Sequence, residues 1–139
     1  MNPTDDELRA ILMAAKTIAM VGASDNPEKP SHRIFKELLA AGYHMIPVNP
    51  RETSVLGVPA VASLADIHEP VDIVDVFRRA EDTPPIADEA AAIGAKVLWL
   101  QLGISNDDTA ARAKAKGLTV VMDKCVGATH RALHIPPKS

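Results

Sequence analysis

The sequence predicts a single α/β domain, a doubly wound parallel sheet of about five strands with helices on both faces. Five compact apolar runs recur along the chain: TIAMV from Thr17, HMIPV from His44, VDIVDVF from Val71, KVLWLQL from Lys96 and LTVVM from Leu118. Amphipathic stretches separate several of them, at residues 31–41, 84–93 and 106–116. Each ends near Gly42, Gly94 or Gly117, where a helix terminus wants a left-handed residue. Strands this continuously apolar need cover on both faces, which a parallel sheet with right-handed crossovers receives.

The elements follow in order. Thr4 followed by Glu7 reads as a capping box, and Leu8, Ile11, Leu12 and Ala15 then share one stripe, so residues 1–16 form an opening helix. The first strand stops at Gly22. After the second strand, residues 53–64 carry Gly57, Val58 and Pro59 and read as a short irregular or edge strand leading into a helical turn near Asp66. Thr83-Pro84 reads as an N-cap with proline in the first helical turn. Trp99 reads as a core residue under a covering helix. Residues 130–139 read as a C-terminal tail, and with no linker or repeat the whole of residues 1–139 forms one domain.

Composition excludes several function classes. The 139 residues are 47% hydrophobic and 24% charged, which suits a packed domain rather than disorder. A net charge of −3 gives no basic footprint for nucleic acid. With one cysteine, Cys125, the chain forms no internal disulfide. The start carries neither the basic region nor the apolar stretch of a signal peptide, and no run approaches the roughly 20 apolar residues of a membrane span. A cytoplasmic location is the expectation.

In an open parallel sheet a ligand sits beyond the carboxyl ends of the strands, where the winding reverses. The loops there read Gly22, Ala23, Ser24 and onward after the first strand, Asn49, Pro50 and Arg51 after the second, Arg78 and Arg79 after the third, and Asp123, Lys124 and Cys125 after the last. The small-residue turn from Gly22 feeds a helix whose free N–H groups and positive dipole end suit a diphosphate, although any tight strand-to-helix turn also wants glycine. GASDNP supplies one glycine where the dinucleotide fingerprint needs three, with a link of about nine residues to the helix. An NAD site also prefers an acid after the second strand, where this chain has Asn49, Pro50 and Arg51. Arg51 suits the 3′-phosphate of coenzyme A or the 2′-phosphate of NADP, and sequence spacing does not choose between them; a solvated loop arginine is the plain alternative. Of Arg78 and Arg79, Arg78 lies nearest the strand end and is expected to face the crevice.

VGAS, NPEKPSH, PVNPR, VDIVDVFRRAEDTPPIADEAAAIGAKVLWLQLGI and VVMDKC together resemble the stand-alone CoA-binding domain proteins, over residues 15–130. That family is similar to the Rossmann-like nucleotide-binding domain of the succinyl-CoA synthetase alpha subunit. The resemblance implies coenzyme A, or an acyl-CoA, across the carboxyl edge of the sheet. It implies that Gly22, Ala23 and Ser24 meet the diphosphate, that Asn49, Pro50 and Arg51 border the adenosine end, and that Phe77 and Arg78 line the adenine or pantetheine path. The chain ends before the synthetase's second domain with its phosphohistidine loop, so ligase activity is not expected. A binding, carrier or regulatory module, serving a CoA-using enzyme, is the expectation.

Other residue types admit chemistry. Cys125 after the last strand should lie on the crevice side, where Lys124 favours a thiolate and a mixed disulfide with the CoA thiol becomes conceivable; the duller role is a small buried hydrophobe. A thiol-based or NADP-dependent redox enzyme is therefore the competing function. Asp75 interrupts an apolar strand and is expected to be satisfied by neighbouring backbone N–H groups. Of five histidines only His130 and His134 have i, i+4 spacing, no third ligand accompanies them, and no metal site is expected.

Overall fold

The computed structural model describes residues 2–138. Helix α1 (Asp5–Ala14) opens on the capping box: Thr4 Oγ1 accepts from the Glu7 N–H at 3.2 Å, and the Glu7 carboxylate accepts from the Thr4 N–H at 2.9 Å. Leu8 and Leu12 on its inner stripe are fully buried. The chain continues through β1 (Thr17–Val21), α2 (Pro30–Ala40) and β2 (His44–Val48), then a hairpin of β3 (Ser54–Val55) and β4 (Val58–Pro59). A 3₁₀ turn (Leu64–Asp66) leads into β5 (Ile73–Val76), α3 (Pro84–Ala92), β6 (Val97–Leu100), α4 (Asp107–Ala115), β7 (Thr119–Val121) and α5 (Val126–Ala132).

The main sheet has the order β2-β1-β5-β6-β7 and is parallel throughout. From β1 the chain steps outward to β2, returns across β1 to β5, and then winds the other way. The reversal falls between β1 and β5. Side chains alternate between two cores, as the two-residue period of a strand requires. Val21, Val48, Val76 and Leu100 face α3 and α4 with Ile86 and Ala113, whereas Met20, Met45, Ile73 and Trp99 face α1, α2 and α5 with Leu12, Phe35 and Val126. Trp99 is fully buried in the second core, and its indole N–H donates to the Lys124 carbonyl at 2.9 Å.

β1 and β2 coincide with their apolar runs, whereas β5, β6 and β7 are shorter than theirs. Asp72 ties the start of β5 to β1: its carboxylate accepts from the Lys16 and Thr17 N–H groups, at 2.8 and 3.0 Å, and its own N–H donates to the Thr17 carbonyl at 3.0 Å. The segment at 53–64 is a tight hairpin: Leu56 and Gly57 both have positive φ, 49° and 78°, the backbone twist such a two-residue turn requires. Thr83 corrects the expected cap. It sits at the N-cap position of α3 but its hydroxyl donates to the Ala80 carbonyl at 2.7 Å and meets the Thr109 hydroxyl at 2.6 Å. Pro84 and Pro85 carry no N–H, so less remains there to cap.

The tail expected at 130–139 is partly helix and partly a packed strap, with residue 139 outside the described residues. Ile135 is buried, the Lys138 N–H donates to the Ala41 carbonyl at 2.7 Å, and Lys138 Nζ donates to the Met13 carbonyl at 2.8 Å. His134 follows α5 with φ of 53°, so it does not share a helical face with His130. Among the described residues no helix is long and apolar enough to cross a membrane.

Candidate functional site

A cleft of about 550 Å³ opens at the carboxyl edge where the winding reverses. Its floor is built by strand ends and their cover: Val21, Val48, Leu64 and Ile86 are apolar and mostly buried. At Gly22 the backbone leaving β1 comes close to that of Phe77. Gly22 has φ of 86°, and a Cβ added there would lie 2.4 Å from the Phe77 carbonyl oxygen. The same close approach continues the β1–β5 pairing by one bond, with the Phe77 N–H donating to the Val21 carbonyl at 2.8 Å. Only glycine meets both demands.

Of the residues expected at the site, Gly22, Asn49, Pro50, Arg51, Phe77 and Arg78 line this cleft. Ala23 and Ser24 do not. The Ala23 side chain is buried among the residues under α2, and the Ser24 hydroxyl accepts from the Asn26 N–H at 3.1 Å. Asn49 Nδ2 donates to the Ala23 carbonyl at 2.8 Å, and the ring nitrogen Nδ1 of His32 lies 3.1 Å from the Ser24 carbonyl oxygen. Because a carbonyl only accepts, that nitrogen carries the proton, which fixes the tautomer of a neutral His32.

The rim is polar and unevenly charged. Arg51 is exposed and makes no ion pair among the described residues. Arg78, half-exposed, stands 3.7 Å from Asp82 one turn along. Arg79 lies outside the cleft with its side chain 76% exposed, between Glu81 and Asp82. Two cations and the Asn49 side chain thus border an apolar slot, a combination able to hold a ring system below and phosphates above.

Sequence reasoning missed the far wall: Ala62, Ser63 and Leu64 from the segment returning across the sheet, and Glu89 on α3. Ser63 had a visible signal, since Ser63 and Asp66 form a reciprocal cap around the 3₁₀ turn. Glu89 had none, because its place depends on which face α3 covers.

Cys125 is not brought to the cleft. It is the N-cap of α5, where its sulfur accepts from the Ala128 N–H at 3.4 Å on the opposite face of the sheet. Asp75 lies on that face too, fully buried, and a side-chain donor joins the neighbouring backbone N–H expected there. One carboxylate oxygen accepts a hydrogen bond from Gln101 Nε2, and the other has no partner among the described residues. Burial pushes the Asp75 carboxyl up to about 7, against hydrogen bonds from Gln101 and the Val76 N–H that pull it down. No group of three or more His, Cys, Asp or Glu side chains gathers in metal-binding geometry among the described residues.

Residues 16–131 match the family model described as the CoA binding domain. The chain is 46% identical over 129 residues to the uncharacterized protein YneT of Bacillus subtilis, covering 93% of this chain and 96% of that protein. It is 42% identical over 57 residues to the alpha subunit of the ADP-forming acetate–CoA ligase II of Pyrococcus furiosus, covering 40% of this chain and 12% of the ligase subunit. A solved structure of a hypothetical protein from Pyrococcus horikoshii superposes with a TM-score of 0.92 at 36% identity, covering 95% of this chain and 93% of that one.

Proposed function

This chain belongs to the CoA binding domain family, and from that premise we propose that it binds coenzyme A or an acyl-CoA in the carboxyl-edge cleft as a module without a catalytic step of its own. The observation that carries the reading is the cleft itself: an apolar slot at the winding reversal, with Arg51 and Arg78 on its rim and the Gly22 turn at its floor. In this arrangement the backbone N–H groups of residues 23–25 meet the diphosphate, the Gly22 N–H being taken by the Val48 carbonyl at 2.9 Å, and the dipole of α2 favours its charge. Asn49, Pro50 and Arg51 border the adenosine, with the Arg51 guanidinium on the 3′-phosphate. Phe77 and Arg78 line the path of the adenine or pantetheine arm.

The similarity to part of an acetate–CoA ligase subunit supports a role beside CoA chemistry, as a carrier, sensor or regulatory partner of a CoA-using enzyme. A redox role through Cys125 draws no support from the site, because the thiol caps a helix on the other face.

A thermal-shift panel of CoA, acetyl-CoA, dephospho-CoA, NADPH and NADH tests the proposal. A ligand at a hundred times its dissociation constant stabilises the fold by about 2.7 kcal/mol, roughly 5–10 °C for a domain of this size. CoA and acetyl-CoA should give such a shift, dephospho-CoA a smaller one and NADH none. A shift with NADPH alone would replace coenzyme A with NADP as the ligand.

A further inference from the structure

The turn after β1 has two carbonyls held from outside: Ala23 by the Asn49 side chain and Ser24 by the His32 ring. In a trans peptide the C=O and the following N–H point in opposite directions. Fixing the Ala23 and Ser24 carbonyls therefore aims the N–H groups of Ser24 and Asp25 the other way, as an anion-binding turn requires. No described residue accepts from the Ser24 N–H. The Asp25 N–H does have an acceptor, and it is an anion: Glu52 Oε2, at 2.5 Å.

Resting on the CoA reading above, we propose that Glu52 is an internal occupant of the diphosphate seat, a carboxylate plug on the Asp25 N–H that the incoming ligand displaces. Glu52 and Asp25 lie just beyond the residues that line the cleft. Glu52 directly follows Arg51, which lines the cleft, and its own N–H donates to the Asn49 carbonyl at 3.3 Å, so its backbone stays beside the seat when its side chain leaves. The neighbouring Asp25 carboxylate is already engaged, accepting from the Leu56 N–H at 2.9 Å, and so does not compete for the vacated amide. Releasing Glu52 costs one charge-assisted hydrogen bond, which only a ligand anion at that amide restores. Glu52 thereby weakens only ligands that place an anion on that amide, and leaves ligands whose phosphate sits only at the Arg51 end unaffected.

Isothermal titration of the whole chain and of Glu52→Gln and Glu52→Ala tests this, with CoA, inorganic pyrophosphate and adenosine 3′-phosphate as probes. Both variants should bind CoA and pyrophosphate roughly three- to tenfold more tightly than the parent chain, with no gain for adenosine 3′-phosphate. The Asp25 amide resonance should move in both ligand-free variants and move in the parent chain on adding pyrophosphate. An equal gain for adenosine 3′-phosphate would reduce the effect to a lost negative charge beside Arg51 and overturn the proposal. Unchanged or weaker CoA binding in both variants, with the parent chain still binding, overturns the plug alone; absence of CoA binding in all three chains overturns the CoA reading with it.

Discussion

Asn49 ties its side chain to the backbone of Ala23, 26 positions earlier, through a 2.8 Å hydrogen bond from Nδ2 to the carbonyl oxygen. Its Oδ1 accepts from the Arg51 N–H at 2.9 Å, so one amide group braces the glycine turn on one side and the arginine turn on the other. Both functions of the side chain are used within the protein, which makes Asn49 a positioning residue. Asn49→Ala should lower unfolding free energy by about 1–2 kcal/mol and weaken CoA binding roughly tenfold. Asn49→Asp keeps the acceptor for Arg51 but sets a carboxylate oxygen against the Ala23 carbonyl and a negative charge beside the phosphates, and should weaken CoA binding at least as much as Asn49→Ala. Denaturant melts paired with titration calorimetry check both numbers.

Gly22 is held by two separate constraints, a positive φ and the Phe77 carbonyl, whereas Gly103 has a positive φ of 83° and nothing within 4 Å of an added Cβ. Gly103→Ala should cost about 1–2 kcal/mol, the strain of the left-handed backbone. Gly22→Ala should cost more than this by a further margin of about 2 kcal/mol or more, because backbone must move. Equal melting temperatures for the two variants would show that β1 and β5 do not approach as described.

Much of this was legible in the sequence, because the features involved are local. The five apolar runs and the glycines at 42, 94 and 117 mark strands and helix ends, and their alternation yields the doubly wound sheet. Gly22, Asn49, Pro50, Arg51 and Arg78 follow from strand ends, and Phe77 from the family resemblance. What escaped depends on tertiary position. Ala23 and Ser24 fall outside the cleft wall, their carbonyls held by Asn49 and His32. Glu52 and Glu89 carry no periodic signal. Asp75 takes a side-chain partner, Gln101, from the next strand, a pairing visible only once β5 and β6 are adjacent.

Asp75 gives the stability a pH dependence of defined sign. Its carboxyl rises from 3.8 to about 7 in the folded chain, so between these values the folded state holds a proton that the unfolded state has lost. Stability from this group is therefore full below about pH 4 and is lost as pH rises toward 7. Asp75→Asn keeps an acceptor for Gln101 and removes the titration. Subtracting its unfolding free energies from those of the parent chain, measured from pH 4 to 8, should leave a curve that falls with pH. A flat difference would mean that Asp75 is ionised throughout.

Arg51, exposed and without an ion-pair partner among the described residues, is expected to serve the 3′-phosphate. Arg51→Ala should weaken CoA by roughly ten- to a hundredfold, the range of a charge-assisted contact, and leave dephospho-CoA almost unchanged. Equal losses for both ligands would place the guanidinium elsewhere on the cofactor. Titration calorimetry on the four combinations separates these outcomes.

The most direct measurement is a crystal structure of the chain grown or soaked with coenzyme A. The diphosphate is expected against the backbone of residues 23–25, the adenosine beside Asn49 and Pro50, and the 3′-phosphate within hydrogen-bond reach of Arg51. A cofactor bound on the Cys125 face, or a carboxyl-edge cleft still empty at saturating coenzyme A, would contradict this placement.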